Sequence, residues 1–85
     1  MNLTIEMPFA AYRGFMNKFD PSSVEYGVLA NGYVERRRSK ARFGVVVQIT
    51  CETHEAQLLL NTAVRACPEA AHAIAEALSV ASRTQ

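Results

Sequence analysis

The chain has 85 residues, nine Lys and Arg against eight Asp and Glu, a net charge of +1, and a hydrophobic share of 49%. A chain this short supports one core and therefore one domain, spanning residues 1–85, and its apolar share argues against intrinsic disorder. No apolar run approaches the length needed to cross a bilayer, so no membrane partner is expected, and the first residues lack the basic and apolar regions of a signal peptide.

Residues 1–7 alternate, with Met1, Leu3, Ile5 and Met7 on one side and Asn2, Thr4 and Glu6 on the other, which is the period of a half-buried strand. Pro8 then opens a helix over 8–19, where Phe9, Tyr12, Phe15, Met16 and Phe19 recur at helical spacing. An alternating pattern through Phe9, Ala11, Phe15 and Phe19 is the poorer alternative. Asp20-Pro21-Ser22-Ser23 is a turn, since Pro presets φ and Asp and Ser bond nearby backbone.

Residues 24–50 read as a three-stranded antiparallel meander. Val24 to Ala30 is rich in strand-forming types, and Asn31-Gly32 is a strong hairpin signal. Tyr33 to Arg38 returns, a second turn falls near Ser39-Lys40, and Ala41 to Thr50 forms the last strand. That strand puts Phe43, Val45, Val47, Ile49 and Cys51 on one face. With two-residue turns, Leu29 faces Val34 and Val34 faces Val45 on the core side. The opposite side then carries Tyr26, Arg37 and Arg42 in one cross-strand row and Tyr33 and Val46 in another. A one-residue slip would exchange the two faces.

Residues 53–82 form two helices or one kinked helix. Thr53 is the expected N-cap, and Ala56, Leu59, Leu60, Ala63, Val64 and Cys67 make an apolar stripe. Pro68 breaks the run and starts a second helix whose buried face is Ala71, Ile74, Leu78 and Ala81. The expected architecture is an α+β fold, β-α-β-β-β-α-α, with one four-stranded, mainly antiparallel sheet and helices packed on one face. After the first strand this order resembles that of double-stranded RNA-binding domains. The resemblance is one of topology alone. Such a domain grips phosphates with lysines at the start of its last helix, where this chain has Thr53-His54-Glu55-Ala56-Gln57.

Charge is the distinctive feature. Arg36, Arg37, Arg38, Lys40 and Arg42 place +5 within seven residues, which leaves the rest of the chain at −4. Guanidiniums suit carboxylates and phosphates, and Tyr26 and Tyr33 add apolar contact. The plain alternative is a solvated hairpin whose charges discourage edge-to-edge aggregation. The expected binding residues are therefore Arg36, Arg37, Arg38, Lys40, Arg42, Tyr26 and Tyr33. The expected partner is a protein with an acidic surface, and the second choice is RNA or DNA. Near-neutral overall charge disfavours a dedicated nucleic-acid binder. A third reading is homodimerisation, with the basic ribbon of one copy on the acidic helices of another or two strand edges paired.

Catalytic sets are sparse. The single Asp, Asp20, lies in a turn, the serines sit in no nucleophile motif, and the four glycines are scattered. Cys51, His54, Cys67 and His72 have ligand types and gaps common at zinc sites. A helix over 53–66 would hold the two halves about 20 Å apart at 1.5 Å per residue, too far to share one ion or a disulfide. The expectations are a non-enzymatic interaction module with no catalytic residue, no metal and no cofactor. Unpaired cysteines point to a reducing, cytoplasmic setting.

Overall fold

A computed structural model describes residues 1–39 and 42–83, without the side chains of residues 37–39, 42 and 43. The elements run β1 (Asn2–Pro8), α1 (Phe9–Met16), α2 (Val24–Ala30), β2 (Tyr33–Ser39), β3 (Arg42–Thr50), α3 (Thr53–Ala66) and α4 (Pro68–Arg83). The fold class is α+β. Among the described residues the sheet has three antiparallel strands, in the order β1-β3-β2, and there are four helices.

The expected first strand of the meander is instead α2. Ser23 caps it, its hydroxyl oxygen accepting from the Tyr26 N–H at 3.1 Å, and Glu25 sits in the favourable first turn. Asp20 prepares the entry by accepting from both the N–H (2.9 Å) and the hydroxyl (2.7 Å) of Ser22. At the far end Asn31 is the C-cap, its N–H donating to the Gly27 carbonyl, and Gly32 donates to the Leu29 carbonyl. Asn-Gly thus ends a helix here and does not turn a hairpin. Gly32 is held by close approach. A Cβ there would stand 2.7 Å from the Ile49 Cγ2 and 3.1 Å from the Gln48 carbonyl oxygen.

The β2–β3 hairpin keeps the expected side-chain parity with a different register. Val34 faces Val47 and Ser39 faces Arg42, so the residues between the strands are 40 and 41, which lie outside the described set along with the expected Lys40 turn position. On the other side of β3, Leu3 faces Ile49, Ile5 faces Val47 and Met7 faces Val45. These six residues are buried on one face. Phe15 of α1, Leu29 of α2, Leu59 of α3 and Ile74 of α4 pack on them. Each such side chain contributes about 1.5–3 kcal/mol of burial.

Thr53–Ala66 and Pro68–Arg83 form two helices that pack on each other. Glu52, one residue before the expected cap, makes a reciprocal capping box with Glu55, whose carboxylate accepts from the Glu52 N–H at 2.8 Å. Cys67 takes an extended conformation between α3 and α4, and Pro68 is the first residue of α4. The buried face of α4 is Ala70, Ala73, Ile74 and Ala77, displaced from the expected set mainly by one residue, with Ala71, Leu78 and Ala81 at its margin. These small side chains let α4 lie close along β1.

Candidate functional site

The two edges of the sheet differ. β1 has β3 on one side and α4 along it, whereas β2 packs chiefly on β3. All four described residues at the start of β2, Tyr33 to Arg36, are exposed. Val34 is 38% exposed although it is in register with fully buried Val47, and Tyr33 is 65% exposed. The helical layer therefore leaves Tyr33 to Arg36 open to solvent on both faces of the strand.

The expected basic residues do not all share a surface. Arg36 is in register with Val45, on the helix side of the sheet. Its guanidinium carbon stands 5.1 Å from the centroid of the Phe9 ring, and that of Arg13, from α1, stands 5.9 Å from the same ring. Both arginines are exposed, and Phe9 is partly buried against the core. An aromatic face attracts each cation by about 0.5–1 kcal/mol at exposed sites. Phe9 thus gathers two positive charges at the margin of the helical layer. Arg37, Arg38 and Arg42 belong to the ladder as backbone, facing Gly44, Phe43 and Ser39 respectively, while their side chains and Lys40 lie outside the described set.

Tyr26 is not on the sheet. It lies on α2, partly buried against the core, because 24–30 is helical. The expected row of Tyr26, Arg37 and Arg42 is therefore absent. Tyr33 is in register with Gln48, and Val46 stands between Glu6 and Glu35. Val46 is only 3% exposed although it points away from the helices. The described part of the open sheet face thus carries carboxylates and amides, and Arg36, the arginine of β2 whose side chain is described, lies on the helix side.

Two clefts adjoin the sheet. One, of about 820 Å³, opens where α2 meets the ends of β1 and β3; its lining includes Asn2, Thr4, Tyr33, Gln48, Thr50 and Glu55. The Thr50 hydroxyl donates to the Asn2 Oδ1 there at 2.7 Å. The other, of about 640 Å³, separates α4 from the exposed side of β1 and includes Thr4, Glu6, His72, Glu76 and Val80.

The thiols are separated by α3. Burial pushes the Cys51 thiol above its ordinary range, opposed by the N-terminal ammonium and reinforced by Glu55 and Glu52. Cys67, partly exposed, has its sulfur 3.9 Å from the Ala11 carbonyl oxygen. Among the described residues no three His, Cys, Asp or Glu side chains converge as metal ligands, and no helix is long and apolar enough to cross a membrane.

Sequence reasoning missed Phe9 and Arg13 as partners of Arg36. Their i, i+4 spacing on one helix was the available signal, but nothing local places that helix beside β2. Comparison with family models, with curated proteins and with solved structures finds no match to this chain.

Proposed function

We propose that this protein is a small, non-enzymatic interaction module that binds an acidic protein surface through its β2–β3 hairpin. The observation that carries the reading is the exposure of Tyr33 to Arg36 on both faces of β2, Val34 included, where the +5 run of Arg36, Arg37, Arg38, Lys40 and Arg42 begins. A strand left uncovered in a domain of this size forgoes burial that would stabilise it. A partner that covers it regains that burial. Arginines favour a carboxylate-bearing partner because their planar forks match carboxylate geometry. Exposed Tyr33 supplies a broad apolar contact beside the charges.

The test is affinity capture with the full chain and with a variant carrying Arg36→Ser, Arg37→Ser and Arg42→Ser. The wild type is expected to retain acidic proteins that the triple variant loses, with the thermal midpoint of unfolding unchanged. Equal capture by the two proteins would refute the reading. Binding to a duplex or single-stranded oligonucleotide with a steep dependence on salt would put a nucleic-acid partner in its place.

A further inference from the structure

We propose that the cleft between α4 and the outer edge of β1 takes an extended, basic segment of a partner protein, which adds to β1 as a strand. This surface lies at the opposite edge of the sheet from the hairpin and does not depend on the acidic-partner reading.

The ladder decides which way the β1 backbone points. Met1 and Cys51 exchange both bonds: the Met1 ammonium donates to the Cys51 carbonyl at 2.8 Å, and the Cys51 N–H to the Met1 carbonyl at 3.0 Å. Bonded pairs recur at every second residue of an antiparallel ladder, so Leu3, Ile5 and Met7 turn their backbone groups toward β3. Asn2, Thr4 and Glu6 turn theirs outward, and β1 ends the strand order on that side. All three are exposed, and among the described residues no hydrogen bond reaches their outward backbone groups. The same three residues line the cleft of about 640 Å³ that α4 walls on its other side. At about 3.3 Å per residue the edge from Asn2 to Glu6 is about 13 Å long, room for about five residues of an added strand. Outward peptide groups along a cleft call for another peptide backbone.

The walls select the side chains. Ala73 and Ala77 are small and Val80 is 52% exposed, so residues of the added strand that face α4 meet apolar surface. The alternate residues stand beside Thr4 and Glu6 on the open face of the sheet. Glu6 and Glu76 both line the cleft, and among the described residues no lysine or arginine does. Basic side chains complement that lining. A second copy entering by its own β1 would bring another Glu6 and another Glu76 to the same cleft with no cation in the lining to offset them. Nucleic acid would bring phosphates to the same carboxylates and no peptide groups.

The experiment titrates the full chain with an end-blocked eight-residue peptide of alternating Val and Lys. Two further versions are N-methylated, one on the Val amides and one on the Lys amides. Alternate amides of a strand point to opposite edges, so one methylated version should lose at least tenfold in affinity and the other should bind as the parent does. Hydrogen exchange at the Asn2, Thr4 and Glu6 amides should slow in the complex, and exchange within 33–39 should stay as it was. Glu6→Lys combined with Glu76→Lys, both at exposed positions, should weaken binding at least tenfold. Equal loss by both methylated peptides, or loss by neither, overturns strand addition, and this comparison is made on the wild type whatever the fold of the variant. Slowing within 33–39 in place of the three β1 amides overturns the choice of edge. A folded double variant that binds as the wild type overturns the basic partner. No binding of the parent peptide at millimolar concentration overturns the whole inference. A free chain that sediments as a dimer with the three amides already protected gives the cleft to a second copy and overturns it too. The variant with Arg36→Ser, Arg37→Ser and Arg42→Ser should bind this peptide as the wild type does, so capture of acidic proteins judges the hairpin separately; loss of peptide binding in that variant would again overturn the choice of edge.

Discussion

The two outer strands of this sheet flank the same central strand and have opposite fates. Leu3, Ile5 and Met7 of β1 are at most 4% exposed, and α4 runs along the strand with a face of alanines. On β2 the equivalent row begins with Val34 at 38% and exposed Arg36. The difference lies in which helices reach which strand. α4 settles along β1 with α3 packed against it, while the shorter α1 reaches both β1 and β3 and α2 reaches β3. Stability therefore resides on the β1 side. The β2 side tolerates change and is available for contact.

The sharpest way to break this contrast is truncation on each side. Phe15→Ala, at a fully buried position, should cost about 3–5 kcal/mol. Tyr33→Ser, on the exposed strand, should stay within about 0.5 kcal/mol. Urea midpoints of the two variants check this, and a similar loss in both would show that β2 is part of the core. Next in size is Gly32→Ala, at the entry to β2. Its Cβ would collide with the Ile49 methyl, and Ile49 is only 2% exposed, so a loss of about 1–3 kcal/mol is expected.

Gly27→Ala should act in the opposite direction. Gly27 is at the centre of α2 with nothing within 4 Å of an added Cβ, and Ala should stabilise by about 0.5–1 kcal/mol. Destabilisation measured by thermal melting would argue against a helix at 24–30. Smaller still is a pH effect at Cys51. Its folded-state pKa is raised, so the folded chain holds the thiol proton longer than the unfolded one. Stability should be unaffected below the unfolded thiol value of about 8.5 and should fall as pH rises above it. Cys51→Ala should remove that decline in urea titrations.

The smallest effect is at Asp20, fully exposed in the turn before α2. Ser22 donates from its backbone N–H and then its hydroxyl, holding the Asp20 carboxyl below the ordinary range. Its contribution should be complete above about pH 4 and disappear as pH falls through the lowered folded value. An NMR titration of wild type against Ser22→Ala reads this directly.

How much of this was legible follows from which forces are local. Alternation over 1–7 and the parity of Val45, Val47 and Ile49 specified the core face, because a strand with one buried side must repeat every second residue. Pro68 and the stripe through Ala56, Leu59 and Ala63 marked the helical hairpin. The error at 24–30 came from reading Val24, Tyr26 and Val28 by strand propensity and Asn31-Gly32 as a hairpin turn. The Ser23 cap with Glu25 in the first turn was the competing signal, and packing of Leu29 into the core decided for it. The basic run was plain in the sequence. Its distribution was not, because the Arg36 and Arg13 cluster depends on where α1 meets β2, which no local pattern encodes.

The pairing of β1 with β3 has a consequence for the order of folding. Asn2 meets Thr50 and Met7 meets Val45, so β1 has no partner until β3, far along the chain, has been made. The α3–α4 hairpin and the β2–β3 ribbon close over short stretches of chain and carry a small loop-closure cost. Both can assemble while Leu3, Ile5 and Met7 are still in water. Docking of β1 closes the longest of these loops, and until it occurs β3 presents the edge that β1 pairs with in the finished molecule.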